Sequence, residues 1–463
     1  MKRIFIFLLV FLFIPFVGGC DRQAELTQYN IQMEYFNGSI QLDEDVTFSA
    51  QTNNFEVAYF NCYPLAYTAG QKFSPVQDGN YAMADILEIS SNGKELTYEI
   101  EDSFIKVKLN KKYRKNEKVK LKLKINIKLP NGEYRMAKTS KTVNLGNMFA
   151  SLAVFDKEYI KCDYGVIGDP FVSEVANYKV SITVPSTYVV AGGGVPTSTD
   201  VGDTKTRYSY EQNCVRDFAF VLSENYQVKC KKWGNKPVYY YFYNDSEADK
   251  TLDLAIRALD YFYSTFGEYP YEVFSLCQTP FLNGGMEYPL LVYLSDSLNY
   301  QDYIYALVHE IAHQWWYGVV GNNQIEESYL DESLAEYSSY MFFDEHLEYG
   351  ISGNNFVKTA ANAVETCERA IFEVNSNFIP SVKKPLNEFK SEYEYVNMVY
   401  GKGFIMFKSL ENFVGRNYMK EKLQVYYKNN MFKIAKTDDL LNAFDNDRPF
   451  LISYLDGKTR VFL

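Results

Sequence analysis

His309-Glu310-Ile311-Ala312-His313, followed after eighteen residues by the Glu332 of Leu330-Asp331-Glu332, is the stretch on which the reading of this chain turns. On a helix the two histidines stand at i and i+4, so their rings leave one face a turn apart. That spacing can bring two imidazole nitrogens to about 2.0–2.1 Å from one Zn2+, with Glu332 as a third, carboxylate ligand. Three protein ligands leave the fourth position to water, the arrangement of a catalytic rather than a structural site. Glu310 lies beside the metal as the candidate general base, and the pattern describes zinc-dependent hydrolysis with one Zn2+ per chain. Only 3 histidines occur in 463 residues, and two of them fall in this pentapeptide. The plainer alternative, a buried helix with two hydrogen-bonded histidines, leaves Glu332 unexplained. His346 is read as a solvated residue without a role.

Working outward, the metal helix is expected over roughly Asp302 to Tyr317, ended by Gly318, and the Glu332 helix over Asp331 to Phe343. Glu336 sits one turn after Glu332, where it either accepts the outer ring proton of a zinc-bound histidine or is a solvated helix glutamate. Trp315 and Trp316 are expected to pack the metal helix into the core. Upstream, Leu252, Ala255, Leu259 and Phe262 recur at helical spacing behind a cap at Asp245 or Ser246, and Gly267 stops that helix. Asn283-Gly284-Gly285-Met286-Glu287-Tyr288-Pro289 precedes the apolar run Leu290 to Tyr293, which reads as a strand near the site.

The first half has a different period. Val119, Leu121, Leu123, Ile125, Ile127 and Leu129 alternate with polar residues, five of them lysines, as in a long strand with one wet face. Val180, Ile182 and Val184 repeat the pattern up to Pro185, and clusters such as Asn131-Gly132 mark turns. The chain is therefore read as α+β and multidomain. A leader covers residues 1–19, an N-terminal antiparallel β sheet or sandwich domain covers 20–235, and a mixed α/β, then mostly helical domain carrying the zinc signature covers 236–463.

The formal charge is −11, which argues against non-specific binding to nucleic acid. Lys2 and Arg3 open the chain, and Ile4 to Val17 is an almost unbroken apolar run, too short for a comfortable membrane span. Val17-Gly18-Gly19-Cys20 then resembles the lipobox of bacterial lipoproteins. This implies cleavage before Cys20, a lipid anchor on it, and a location on the outer face of the cytoplasmic membrane, the alternative being an ordinary secretion signal with an accidental cysteine. Cys62, Cys162, Cys214, Cys230, Cys277 and Cys367 are irregularly spaced without a CxxC; disulfides are open to an exported chain but their pairing is not readable from sequence, and the thiols are read as free and buried.

Several segments in order resemble the aminopeptidase N family of zinc metallopeptidases, within the gluzincin clan. Val215 to Phe220 is similar to the segment closing that family's β domain. Phe266-Gly267-Glu268-Tyr269-Pro270-Tyr271 is similar to its turn before the substrate-binding strand. Gly284-Gly285-Met286-Glu287-Tyr288 matches its Gly-x-Met-Glu-Asn motif with Tyr288 in place of asparagine. The zinc signature fits at the family's spacing, and Val399-Tyr400-Gly401-Lys402-Gly403 resembles its Tyr-x-Lys-Gly segment. The resemblance implies a saddle-like β domain and a thermolysin-like catalytic domain. It implies Tyr400 as the catalytic donor to an oxyanion, Glu287 as the partner of a substrate's α-ammonium group, and Gly284 and Gly285 as the place where substrate backbone adds to a strand. Many members continue into a large helical C-terminal domain; this chain is expected to lack it and to have a more open site. A second α-amine partner is expected near Met148 to Asp156, where no clear match stands.

The function expected from the sequence is removal of N-terminal residues from peptides. A broader zinc endopeptidase and a non-catalytic peptide-binding surface lipoprotein are the alternatives. Glu310 argues against the last, since a binder has no need of a base beside the metal.

Overall fold

The computed structural model describes residues 26–460 apart from 72–73, 77–78 and 162–163. The leader, Cys20 and Cys162 lie outside the described residues. Cys62, Cys277 and Cys367 are free, buried thiols; Cys230 is free but exposed, against the expectation that it is buried.

Among the described residues, an eight-stranded sheet forms the frame of the first half. Strand β1 (Gln28–Phe36) lies near its centre between β2 (Ser39–Ser49) and the strand Ala176–Pro185. The lysine-rich strand is found at Lys118–Lys128, where each apolar side chain is buried and each alternate one faces outward. On its wet face Lys122 pairs with Asp43 and Lys124 with Glu88, so the middle of the lysine row meets acids within the sheet. One pairing departs from the antiparallel pattern: β1 runs parallel to Ala176–Pro185 over Gln28–Glu34, because the chain returns to that edge only after a long excursion. Two smaller four-stranded sheets cover the inner face and close a sandwich around Phe48, Phe60, Ile105 and Leu123.

A five-stranded mixed sheet begins with Gln227–Trp233 and runs through Lys236–Phe242, Phe274–Thr279 and Leu291–Ser295 to the short edge strand Gly285–Met286. Helix α1 (Ala248–Phe266) packs on it and ends at Gly267, whose φ of +133° suits glycine. Asp245 is not the cap; it accepts hydrogen bonds from Tyr240 and Thr251 and lies ahead of the first turn.

Helix α2 (Tyr300–Ala312) starts at Asn299, whose side chain accepts the Asp302 N–H at 3.1 Å. It is shorter than expected. Past Ala312 the N–H groups of Gly318, Val319 and Val320 return to the carbonyls of His313, Gln314 and Trp315 five residues back, so the helix opens into wide turns. Arg216, buried at the end of the β domain, holds those turns. It donates to the carbonyls of Tyr317 (2.8 Å), Val319 (3.2 Å), Ser173 (2.8 Å) and Lys433 (2.6 Å). Trp315 and Trp316 are fully buried, with their indole N–H groups on Gly267 O and Ser338 Oγ. Helix α3 (Gln324–Glu327) leads into α4 (Tyr329–Glu345), which carries Glu332 in its first turn.

The expected lack of a large helical C-terminal region is corrected. Helix α5 (Gly353–Val374) opens a helical body that runs through α6 (Glu392–Tyr395), α7 (Gly403–Val414), α8 (Arg416–Asn430), α9 (Thr437–Ala443) and α10 (Arg448–Leu455). Helices of this length need about 1.5 Å per residue, so a hundred residues suffice for several packed rods. Phe404, Met406, Phe407 and Leu410 on α7 are buried in its core. The site is correspondingly not left open on that side: Glu392, Tyr395, Val396 and Tyr400 form one wall of the cleft.

Candidate active site

The cleft lies where the edge strand, α2, α4 and the helical body meet, and has a volume of about 480 Å3. On its floor the Nε2 atoms of His309 and His313 stand 3.0 Å apart. Glu332 Oε2 lies 3.3 Å from the first and 3.2 Å from the second. Tetrahedral ligands at about 2.0–2.1 Å from zinc stand about 3.3–3.4 Å from one another, so this triangle has the size a single Zn2+ requires. The Nδ1 atom of His313 lies 3.0 Å from the Trp316 carbonyl, which accepts its proton and turns Nε2 toward the triangle. All three side chains are buried. Burial alone would push the Glu332 carboxyl up, yet the two imidazoles outweigh it and hold the group ionised. The donor set fits zinc: two borderline nitrogens, one carboxylate, and an open side toward the cleft.

Glu310 points into the same space. Its Oε2 is buried without a hydrogen-bond partner. Burial raises its carboxyl well above the usual range, with His313 opposing and Glu287 and Glu332 adding to the rise. Gly285 is required beside it: a Cβ there would lie 2.3 Å from Glu310 Oε1. Gly284 has φ +82° and starts the turn into the edge strand, whose outer side is unpaired in the sheet.

Tyr400 sits on a wide helical turn, Val396–Lys402, in which the hydrogen bonds span five residues. Its ring stacks on His309 with centroids 5.9 Å apart, and its phenol lies against Glu332. Burial and then Glu332 push that phenol well above its ordinary value, so it is a donor at neutral pH. Three neighbours shape the turn. Ser333 Oγ donates to the Val399 carbonyl at 2.6 Å, and Gly403 leaves room for that hydroxyl, since a Cβ would meet it at 1.9 Å. Lys402, fully buried, donates to Glu368 at 2.7 Å.

Glu336 is placed differently from the simplest expectation. Its Oε1 is 3.9 Å from His309 Nδ1, beyond hydrogen-bond reach, and its Oε2 accepts the Tyr305 hydroxyl. Tyr288 turns away from the cleft: its hydroxyl donates to Asn147 in the β domain at 2.7 Å, against Gly146.

Glu287 lines the cleft and faces an acid that sequence reading missed. Asp169, on the loop before Phe171, brings a carboxylate oxygen within 4.8 Å of those of Glu287 and Glu332. Arg135 pairs with it and reaches the Met286 sulfur at 3.2 Å. Burial, then the charge of Asp169, pushes Glu287 up to about 8. With Arg135 as the one guanidinium lining the described cleft against Asp169, Glu287, Glu310, Glu332 and Glu336, the site calls for added cations. Nothing local to Ile167-Gly168-Asp169-Pro170 signals this; the neighbourhood of Met148 to Asp156 instead fills the β domain with Met148, Phe149, Ala150 and Val154. Tyr395 was also missed. Its buried hydroxyl lies beside Ser328, and its ring meets Tyr400 edge-on at 5.7 Å.

Residues 250–455 match the peptidase family M1 domain. The M1 match therefore takes in both histidines, Glu310, Glu332, Glu287 and Tyr400. Aminopeptidase M1-C of Oryza sativa subsp. japonica is 24% identical over 283 residues, 57% of this chain and 32% of its own length. Tricorn protease-interacting factor F2 of Thermoplasma volcanium is 24% identical over 215 residues, 44% of this chain and 27% of its own length. The chain thus spans about a third of the length of the curated relatives it matches. A solved M1 zinc metallopeptidase from Deinococcus radiodurans shares the fold with a TM-score of 0.68 at 18% identity, over 94% of each chain. A variant of that enzyme solved with a Tyr-Ser-Ala substrate gives 0.66 at 17%, over 94% of this chain and 95% of the other. Matches of that extent take in the helical region, so the large helical part belongs to the shared fold.

Proposed function

We propose that the protein is a zinc-dependent aminopeptidase of the M1 type, acting on peptides with a free N-terminus. One observation carries this reading: the nitrogens of His309 and His313 and the Glu332 carboxylate converge within 3.3 Å of one another beside an unpartnered Glu310 oxygen. His309, His313 and Glu332 would hold the metal; bound there, zinc supplies Lewis acidity toward a carbonyl and an acidic water with a pKa near about 7.

The chain's own groups do the rest. Glu310 takes a proton from the attacking water and passes one to the leaving amine, which its buried, unpartnered carboxylate oxygen in the cleft suits. Tyr400 donates its phenol hydrogen to the oxygen on which charge develops. The substrate backbone aligns along Gly284 and Gly285 at the open edge of the mixed sheet. Glu287 and Asp169 receive the α-ammonium group, which fixes the first peptide bond over the metal ligands. This makes Asp169 the second amine partner that was expected elsewhere.

A lipid anchor at Cys20 and a place on the outer face of the cytoplasmic membrane belong to the same proposal, and rest on the Val17-Gly18-Gly19-Cys20 resemblance. No helix among the described residues is long and apolar enough to cross a membrane.

Metal analysis with a panel of aminoacyl fluorogenic substrates, with and without chelator, tests the reading. One zinc per chain and chelator-sensitive release of the N-terminal residue are expected. Equal cleavage of free and N-acetylated peptides would remove the aminopeptidase assignment and favour the endopeptidase.

A further inference from the structure

We propose that Gln324 is a positioning residue that sets the cleft's preference for a cationic N-terminus by fixing the orientation of Glu287. The proposal rests on the reading of Glu287 as the α-ammonium partner. Gln324 opens α3 and is 1% exposed. Its backbone is held on both sides: its N–H donates to the Phe171 carbonyl at 3.2 Å, and Asn323 caps the short helix.

The side-chain amide lies between two buried acids. Nε2 donates to Glu287 Oε1 at 3.0 Å and to Asp331 Oδ2 at 2.8 Å. The orientation of the amide follows from its partners, because a flipped group would set its oxygen against two carboxylate oxygens. Oε1 is buried without a partner, so the side chain accepts that loss to keep both donor bonds. Asp331 Oδ1 in turn accepts the backbone N–H of Glu332 at 2.8 Å. A continuous chain of hydrogen bonds therefore runs from Glu287 through Gln324 and Asp331 to the backbone of the metal-ligating Glu332. The position of the amine partner and that of the metal ligand are set by one frame.

Two consequences follow from the geometry. Committing Glu287 Oε1 to the amide leaves the second carboxylate oxygen for an incoming ammonium. A single NH2 group also stands between carboxylates that would otherwise repel each other. Without it Glu287 is free to turn from the cleft, and an N-terminus loses its register. An N-acetylated peptide has no charge for Glu287 to meet and loses nothing.

The test compares the zinc enzyme with Gln324→Met, which keeps the length and drops both donors, and Gln324→Glu, which keeps the shape and adds a charge. Matched pairs of free and N-acetylated peptides are assayed, with zinc content and melting temperature followed throughout. For both variants KM for the free peptide is expected to rise about tenfold or more with kcat within about twofold, zinc staying at one per chain. The free-to-acetylated ratio of kcat/KM falls by the same factor. An unchanged ratio in a folded, zinc-loaded variant overturns the proposal, as does an equal loss on both peptides. Should Gln324→Met not fold, Gln324→Glu decides alone. If the unaltered protein does not discriminate between the peptides, the reading of Glu287 fails instead, and the role of Gln324 fails with it.

Discussion

Tyr400 lies on His309 almost ring to ring, with planes 15° apart and centroids separated by 5.9 Å, so the phenol is fixed against the metal ligands before any substrate arrives. Such a donor needs no reorganisation as charge develops. Tyr400→Phe keeps the ring and the stack and removes only the hydroxyl. We expect kcat to fall by about 10²–10³ with KM nearly unchanged. Steady-state kinetics with zinc content held at one per chain checks this; a loss confined to KM would exclude Tyr400 as the oxyanion donor.

Glu310→Gln preserves size and the contact with Gly285 while abolishing proton transfer. Hydrolysis should drop by about 10²–10⁴, and zinc stoichiometry and peptide affinity should stay close to those of the parent. Calorimetric titration with a slowly cleaved peptide provides the second readout.

Removing the metal should destabilise the fold. A metal bound only to the folded state adds stability by mass action, and without it Glu332 is left buried among two imidazoles. Dialysis against a chelator is expected to lower the melting temperature and abolish activity, both restored by zinc. Glu332→Gln should reproduce the loss of metal without a chelator.

Lys402 and Glu368 form a buried pair, 2.7 Å apart, beneath the turn that presents Tyr400. Lys402→Met leaves Glu368 buried and unpaired, at a cost of about 3–5 kcal/mol. The double variant Lys402→Met/Glu368→Met removes both charges and should recover most of that stability in chemical denaturation. No recovery in the double variant would show that the lysine acts through packing alone.

Glu44 gives a pH dependence. It faces inward from β2, with Oε2 accepting the Ala150 N–H at 3.1 Å and Oε1 unpartnered, and burial raises it from its ordinary 4.5 to about 8. Between those values the folded chain keeps a proton that the unfolded chain has released, so this residue makes stability fall as pH rises from about 4.5 to 8 and levels off above. Glu44→Gln should remove that part of the slope, raising the melting temperature at pH 8 more than at pH 5.

The metal ligands were legible because helical periodicity alone brings His309 and His313 together, and few other histidines compete. The strand at Lys118–Lys128 was legible because one face is dry and the other wet. Gly285 and Gly403 could be flagged as motif positions, but their reason appears only in three dimensions, against Glu310 and Ser333. Asp169, Arg135 and Gln324 reach the cleft across tertiary contacts, and no spacing in the chain announces them. The end of α2 was misjudged because apolar periodicity continues through Trp315 and Trp316 after the backbone has left the helix. The helical body is hard to read from the length of chain that follows the catalytic motifs, because the helices carrying Tyr400 and its supports already belong to it.

The parallel partnership of β1 with Ala176–Pro185 bears on synthesis. A ribosome must deliver the whole of that later strand before the first can settle on both its flanks. Until then a strand with one open side waits while well over a hundred further residues emerge, the interval in which a chaperone can shield it.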